Sequence, residues 1–462
     1  MAEVIHLKDN NCGVTKKIKT ETQYDDLSAI ANITVEELIK KNPDVLVFPQ
    51  SLGISEDKIE ELEVLHLSGT RNKLQECNLK TGNLMGFIGY GTTKVTVTSR
   101  FAKNAETKDD YFLHYLLQKV LSLNIVDMKY SATNKGEFDL LIYMFPPLLK
   151  KACAQGLVKQ YKTFFRNDAN IKGTIDINRH IQKNILFNGN VAYKNRSYTS
   201  DNSITELVRH TIEYIKTKPA GEAILSNDYE TIECVRIIQE STPDYSKNDL
   251  QKIVAKNTRQ FVHPFYTEYI PLQKLCLQIL RHEKMNYSQN KNEAYGILFD
   301  GAWLWEEYLA TILTGKELGF IHPKNKAKSG GICVYNGNPR YPDFYKGKQT
   351  SPEFMKGNFV LDAKYKHLEG SMNRDDLHQL ITYMHILPSE NGALIYPLVK
   401  DEVETCSPKK HIKGYGGYVW TIGVKIPQNC NSLKDFAGKM KGSEMNVNII
   451  LRNEFLCSLH PE

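Results

Sequence analysis

Apolar and polar residues alternate in short runs over residues 64–101, and glycines separate the runs. Val64–Leu67, Gly86–Tyr90 and Lys94–Thr98 each have the composition of a strand, so we predict a small β unit here. Gly89–Thr93 lacks the Gly-Lys-Ser/Thr ending of a phosphate-binding P-loop, and we interpret it as a hairpin turn. No other segment supplies that ending. We therefore expect that the chain itself binds no nucleotide.

The flanking segments show mixed patterns. Before residue 60 we predict one or two short helices between Asp25 and Lys41 and a strand near Val45–Pro49. Later segments predict a helix from Tyr111, strands near residues 157–161, 171–176 and 190–198, a helix starting at Asp201–Ser203, and helices continuing to about residue 283. The polar stretch 286–292 is the predicted domain boundary.

Beyond residue 286 the predicted helices and strands bring together residues that could take part in catalysis. Apolar residues recur at helical spacing over Ile297–Leu313, which also contains Glu306 and Glu307. Strands are predicted at residues 330–335, from Pro342, and at residues 358–366. Alternate residues of a strand share a face, so Asp362 and Lys364 project to the same side.

These residues suggest a metal-dependent phosphodiesterase site. Asp343 follows Pro342, and one strand and turn later comes Asp362-Ala363-Lys364. Two carboxylates can hold Mg²⁺, and a lysine can serve the attacking water or the charged transition state. In the next predicted helix Gln379 and Tyr383 lie one turn apart on the same face. The alternative is that Asp343 caps a strand and that Asp362 and Lys364 form a solvated strand face.

Composition adds little to this interpretation. The chain has 462 residues, a formal net charge of +6 and nine dispersed cysteines without a Cys-x-x-Cys pair. The charge is compatible with a nucleic-acid partner, and the single cysteines indicate reduced thiols. We find neither a membrane-spanning run nor the pattern of a signal peptide, so a cytoplasmic location without membrane association is expected.

The quoted motifs resemble those of the PD-(D/E)xK nucleases, and more narrowly the McrC-type subunits of restriction systems, including the LlaJI and BsuMI-like branch. The resemblance covers roughly residues 60–400. It rests on five blocks of sequence: Leu304–Leu309, Pro342–Asp343, Leu361–Lys366, Asp376–Tyr383, and Gly173–Asp176 with Tyr198–Asn202. Asp362 stands where many relatives have Glu, which shortens the side chain and keeps its charge.

The resemblance implies roles for these residues. Asp343 and Asp362 would bind Mg²⁺, with Mn²⁺ as an alternative, and Lys364 would orient or activate water. Glu306 would be a further acidic ligand, directly or through water, and Glu307 competes for that role. Gln379 and Tyr383 would support the site or touch the DNA backbone. A basic loop with Lys324, Lys326 and Lys328 is either a phosphate contact or simply solvated.

The resemblance also implies partners. McrC-type subunits work with an AAA+ GTPase on double-stranded DNA, in some systems with a further specificity subunit. An arginine such as Arg71, Arg100 or Arg166 could assist hydrolysis in the GTPase, and the sequence leaves the choice open. Two rival functions are a repair or recombination nuclease of the same fold and a non-catalytic activator of an NTPase ring.

The predicted fold is therefore α/β (α+β). A restriction-endonuclease-like PD-(D/E)xK domain would occupy residues 286–462, and a mixed β/helical region that binds the GTPase partner would occupy residues 61–285. Residues 1–60 would be an accessory segment. The predicted function is that of a Mg²⁺-dependent endodeoxyribonuclease subunit of a restriction system directed against foreign DNA.

Overall fold

A computed structural model describes most of the chain, and its compact units differ from the predicted domains. The described residues are 3–11, 13–15, 18–42, 45–49, 63–102, 110–121, 141–218, 221–285, 294–323, 331–335, 338–346, 358–368, 372–400, 402–414 and 416–457. Unit 1 combines residues 1–140 with 289–462, and unit 2 comprises residues 141–288. The mixture of helices with parallel and antiparallel sheets confirms the predicted α/β (α+β) class.

Helices and strands are distributed over both units. The helices are α1 Glu21–Ile30, α2 Val35–Lys41, α3 Tyr111–Val120, α4 Phe145–Ala154, α5 Ile177–Lys183, α6 Ser203–Lys216, α7 Gly221–Leu225, α8 Tyr229–Ser241, α9 Leu250–Lys256, α10 Tyr269–Met285, α11 Gly301–Leu313, α12 Arg374–Ile386 and α13 Leu433–Cys457. The strands are β1 Glu3–Lys8, β2 Val14–Thr15, β3 Val45–Phe48, β4 Leu65–Ser68, β5 Asn78–Thr81, β6 Leu84–Tyr90, β7 Thr93–Thr98, β8 Gln160–Asp168, β9 Thr174–Ile175, β10 Val191–Thr199, β11 Tyr295–Asp300, β12 Ile332–Tyr335, β13 Asn338–Arg340, β14 Phe344–Lys346, β15 Phe359–Ala363, β16 Asn391–Leu398, β17 Lys410–His411 and β18 Tyr418–Lys425.

The first sheet of unit 1 explains why the predicted domain boundaries differ from the observed units. Its strand order is β1-β7-β6-β11-β3, so β11, from the second half of the chain, lies between two strands from the first half. Strands β6 and β7 form the hairpin predicted around Gly91. The side chains of β3 join the same apolar core as those of β6 and β7. Residues before 60 are thus part of this unit. Their strands pair with strands that are distant in the sequence, and no local pattern could indicate such pairing.

The predicted helix over Ile297–Leu313 is wrong at its start. Residues up to Asp300 form the buried strand β11, and the helix begins only at Gly301. The Asp300 side chain accepts a hydrogen bond of 2.9 Å from the Ala302 N–H group, which fixes the start of α11. An apolar run that is buried on both faces of a sheet can mimic helical spacing. Glu306 and Glu307 remain in mid-helix, as predicted.

The second large sheet of unit 1 has the strand order β14-β15-β16-β18-β17. Strands β15, β16 and β18 are parallel, and β14 pairs with β15 in the antiparallel sense. Helix α12 packs on this sheet through Leu380, Tyr383 and Met384. The packing brings α12 close to the end of β15, where the predicted Asp-x-Lys motif lies.

A partly buried carboxylate anchors α11 from the side of the C-terminal helix. Glu444 of α13 accepts hydrogen bonds from the hydroxyl groups of Tyr115, at 2.6 Å, and Tyr308, at 3.1 Å. Lys119 of α3 donates to its other oxygen at 3.0 Å. Satisfied polar networks of this kind specify one packing arrangement. The position of α11, and of the acids that it carries, is therefore fixed by α3 and α13.

Unit 2 consists of a three-stranded antiparallel sheet, ordered β8-β10-β9, together with helices α4 to α10. The predicted helix start at Asp201–Ser203 is confirmed, because the Asn202 side chain accepts from the N–H groups of Ile204 and Thr205. Among the described residues of the whole chain, no helix is long and apolar enough to cross a membrane.

Candidate functional site

Strand β15 presents the predicted acid and lysine side by side. Asp362 is fully buried, and one of its oxygens lies 2.6 Å from the Nζ atom of Lys364. The strand ladder continues past its last residue, because the Lys364 N–H group donates to the Ile395 carbonyl at 2.9 Å. The backbone is therefore held on both sides of Ala363. The strand alternation predicted from sequence is confirmed by this geometry.

Burial dominates the electrostatics of Asp362. It raises the pKa of this carboxyl group, although Lys364 opposes the shift. Within the part of the chain that the structure describes, no donor makes a well-directed hydrogen bond to either carboxylate oxygen. The ammonium group of Lys364 is its close charge partner, and the two oxygens retain capacity for a cation.

Asp343 approaches from the neighbouring strand. It follows Pro342 and immediately precedes β14, and its Oδ2 atom accepts a 2.6 Å hydrogen bond from the Ala363 N–H group. This bond joins the Pro-Asp turn directly to the Asp-x-Lys segment. Burial raises the pKa of Asp343 well above its ordinary value, and the charges of Glu306 and Asp362 raise it further. The two predicted aspartates thus act on each other.

Helix α11 contributes its two glutamates unequally. Glu306 is among the charges that raise the pKa of Asp343, whereas Glu307 is not. The Nε2 atom of His322 lies 3.8 Å from Glu306 and 3.9 Å from Glu307. Of the two alternatives left open by the sequence, this arrangement favours Glu306 as the acid that faces Asp343.

Helix α12 continues the polar chain from Lys364. The Lys364 ammonium group donates to the Gln379 side-chain carbonyl at 2.8 Å, and the Gln379 amide donates to the Tyr383 hydroxyl at 3.0 Å. Burial raises the pKa of Tyr383 to about 12, so its hydroxyl stays protonated at neutral pH. Gln379 and Tyr383 therefore form a hydrogen-bonded chain that ends at the lysine, and their supporting role stays a prediction.

Two neighbours of the site were assigned no role in the sequence analysis. Asp376, buried in the first turn of α12, pairs with Lys366 at 2.6 Å and lies 3.9 Å from Lys364. His322 donates from Nδ1 to the Asp343 carbonyl at 2.8 Å. Lys364 and Lys366 lie on one face of the predicted strand, and two lysines on one face could have indicated a nearby acidic partner such as Asp376. His322 had no comparable signal, because it stands outside every motif.

The acidic side chains of the site could bind a cation, but they do not form a complete set of metal ligands by themselves. In the described ranges no three or more His, Cys, Asp or Glu side chains are clustered tightly enough to hold a metal by themselves. Asp343 and Asp362 form a pair of adjacent carboxylates, and both oxygens of Asp362 are buried without a well-directed hydrogen bond. Mg²⁺ binds with one or two carboxylates plus water and substrate phosphates, so this pair fits it. Lys324, Lys326 and Lys328 lie outside the described residues.

This fold and this site define a mixed α/β protein with an acid-and-lysine centre at the edge of a sheet. A family model described as McrBC 5-methylcytosine restriction system component matches residues 79–397. Because the match spans more than half of the chain, the protein belongs to this family. The predicted resemblance is confirmed at this level. No curated protein sequence matches the chain significantly.

Two solved structures are similar to the chain. The first is a refined half-complex from a tetradecameric assembly of Thermococcus gammatolerans McrB AAA+ hexamers with bound McrC. The TM-score is 0.52 at 15% identity, covering 97% of this chain and 100% of that one. The second is the Thermococcus gammatolerans McrBC complex, with a TM-score of 0.34, 14% identity and coverages of 68% and 88%. The first of these similarities supports the fold assignment.

The raised pKa of Asp343 makes a prediction about the metal-free protein. A carboxyl group whose pKa is raised on folding favours the folded state at low pH, and this contribution is lost as the pH rises through the folded-state pKa. Asp343→Asn removes the charge and keeps an oxygen that can accept from Ala363. In EDTA at about pH 8 the variant should melt a few degrees above the wild type, and the difference should vanish towards about pH 4.

Asp435→Asn is the matched control, measured by the same circular-dichroism melts. Lys439 holds the pKa of Asp435 below its ordinary value, so removing this charge should not raise the melting temperature. If Asp343→Asn melts below the wild type at the higher pH, or shifts equally at both pH values, the electrostatic description of the site is wrong.

Proposed function

We propose that the chain is the McrC-type nuclease subunit of a restriction system and hydrolyses phosphodiester bonds of foreign DNA with Mg²⁺. The observation that carries this proposal is the meeting of Asp343, Asp362 and Lys364 at the edge of one sheet. The first two are joined through Ala363 and the last two through a 2.6 Å ion pair. A structural role alone would not require acids so costly to bury.

The state of Lys364 indicates what it does in the reaction. Burial would lower its pKa, but the charges of Asp362 and Asp343 outweigh burial and leave the pKa above its ordinary value. The lysine is therefore charged. An ammonium group has three N–H donors; that of Lys364 donates to Gln379 and lies 2.6 Å from an Asp362 oxygen, which leaves it able to donate to water or a phosphate oxygen as well. Charge stabilisation and water orientation fit this state better than proton abstraction.

The carboxylates would hold the metal. Asp343 and Asp362 would be its ligands, helped by the Ala363 carbonyl, with Glu306 acting directly or through water. A bound Mg²⁺ would neutralise charge on the phosphoryl oxygens and lower the pKa of a water nucleophile. Gln379 and Tyr383 would keep Lys364 oriented towards that water. Mn²⁺, with similar preference for oxygen ligands, would substitute.

A second feature, in unit 2, supports a partner subunit. Strands β8, β9 and β10, helix α5 and the loops that adjoin them expose ten large apolar side chains, which we call the unit 2 apolar surface: Tyr161, Phe165, Ile171, Ile175, Ile177, Ile181, Ile185, Leu186, Phe187 and Tyr198. Their exposed fractions reach 88%, at Leu186. Many large apolar side chains exposed on neighbouring elements are typical of an interaction site.

The composition of this surface favours a protein partner over a nucleic acid. Arg196 lies over the Tyr161 ring at 4.7 Å and Arg179 over Phe165 at 5.3 Å, so aromatic and basic groups are mixed. Such mixing also occurs in single-strand binders. The exposed aliphatic side chains, Leu186 among them, offer no stacking face to a base. We therefore assign the surface to an AAA+ GTPase subunit, like the McrB hexamers that accompany McrC in the similar structure.

The three arginines considered for assisting that GTPase differ in their exposure and in their contacts. Arg100 is largely buried, paired with Asp9 and packed over the Tyr365 ring, so it is committed to the interior. Arg71 forms exposed ion pairs within its own unit. Arg166 is exposed on β8, on the strand face opposite Tyr161 and Phe165, so its exposure alone favours it. Arg166 is therefore our choice for a residue that acts in the partner.

The nuclease assignment is tested by Lys364→Ala and Asp362→Ala. Each should lower the rate of plasmid cleavage by about a thousandfold or more in Mg²⁺ with the AAA+ partner present, because each removes charge from the reacting centre. The control is Lys80→Ala, which removes an exposed lysine of β5. Cleavage at the wild-type rate by either site variant would exclude the assignment and favour a non-catalytic activator.

The partner surface is tested by Leu186→Glu. A charge at this position should weaken co-elution with the AAA+ subunit in size-exclusion chromatography by about tenfold or more in affinity, because the side chain would be desolvated in the complex. Val262→Glu is the control: it is 82% exposed, in unit 2, but outside the unit 2 apolar surface. Equal binding by both variants would contradict the proposed docking site.

A further inference from the structure

His322 is held at a junction of three elements of unit 1. Ile321, the residue before it, forms an isolated antiparallel bridge with Tyr345 of β14, with hydrogen bonds of 2.8 and 3.0 Å. The His322 ring stacks on Phe344, with ring centres 4.7 Å apart and planes inclined by 21°. Its side chain is only 6% exposed. The imidazole therefore has a fixed place rather than a choice of surface rotamers.

The Nδ1 atom holds the Pro-Asp turn. It lies 2.8 Å from the Asp343 carbonyl oxygen, which can only accept a hydrogen bond. Nδ1 must therefore carry a proton and donate it, whether the ring is neutral or charged. This bond holds the backbone of Asp343, and the side chain of the same residue accepts a hydrogen bond from the Ala363 N–H group. Asp343 is thus fixed at two points, by its backbone carbonyl and by its carboxylate.

The Nε2 atom faces the acids of α11. It lies 3.8 Å from a Glu306 oxygen and 3.9 Å from a Glu307 oxygen. One ring therefore touches the helix that carries Glu306 and the turn that carries Asp343. The ring thus packs between the carboxylates of α11 and the backbone of the Asp343 turn.

We propose that His322 is a positioning residue for the metal site: its Nδ1–H group fixes the Asp343 turn, so that the Asp343 carboxylate meets that of Asp362. This inference rests on the proposed function of Asp343 and Asp362 as metal ligands. His322 is assigned no contact with metal or DNA. Groups that orient metal ligands commonly contribute about 10- to 100-fold to metal affinity.

Three variants of the full chain separate the two ring nitrogens. His322→Asn places an amide N–H group close to the Nδ1 position, His322→Gln places one close to Nε2, and His322→Ala removes both. Mn²⁺ binding without DNA is measured by electron paramagnetic resonance, and melting temperatures are measured in EDTA. We expect His322→Ala and His322→Gln to weaken Mn²⁺ binding about tenfold or more, and His322→Asn to stay within about threefold of the wild type.

The controls distinguish the failure of this inference from the failure of the proposed function. His66→Asn changes a half-exposed histidine in another sheet and should bind Mn²⁺ like the wild type. If the wild type binds no Mn²⁺, or Asp343→Ala binds it equally well, the metal site itself is refuted. If Asp343→Ala loses binding while His322→Ala and His322→Gln keep it, only the role of His322 is refuted. Should His322→Ala not fold, equal weakening by Asn and Gln refutes positioning through Nδ1.

Discussion

The ion pair between Lys364 and Asp362 is the interaction on which the site depends. Asp362 is fully buried, Asp343 is joined to it through Ala363, and Asp376 lies 3.9 Å from the same lysine. Carboxylates gathered in a low-dielectric interior repel one another, and each is costly to ionise there. The raised pKa values of Asp343 and Asp362 indicate that one lysine does not neutralise them fully. A divalent cation would supply the missing charge.

The residue after this lysine links the site to the first sheet of unit 1. The Tyr365 hydroxyl lies 2.8 Å from the Ser99 hydroxyl, and its ring packs under Arg100, which is paired with Asp9 beyond the end of β1. The N-terminal residues, predicted to be accessory, therefore brace the end of β15. Since Lys364 is adjacent in the chain, its position depends on this packing as well as on Gln379.

Local patterns predicted much of the site. Strand alternation placed Asp362 and Lys364 on one face, and helical spacing placed Gln379 and Tyr383 one turn apart; both depend only on neighbouring residues. The hairpin at Gly91 followed from the same kind of signal. The strand β11 did not, because its pairing with β3 and β6 joins distant parts of the chain.

Other features could not be predicted from local sequence patterns either. His322 approaches Asp343 only after α11 and β14 have packed, and the choice between Glu306 and Glu307 depends on which of them faces Asp343 in the folded unit. The unit 2 apolar surface was hidden for a different reason. Its residues have strand and helix patterns typical of a core, and only the folded unit shows that they face outwards.

The most direct measurement is a crystal structure of the chain grown with Mn²⁺, using the anomalous signal of the metal to locate it. The account predicts a Mn²⁺ peak between Asp343 and Asp362, with oxygen ligands at about 2.0–2.2 Å and the Lys364 ammonium group next to a metal-bound water. A peak elsewhere, or a fully loaded crystal in which the two carboxylates contact no metal, would contradict it.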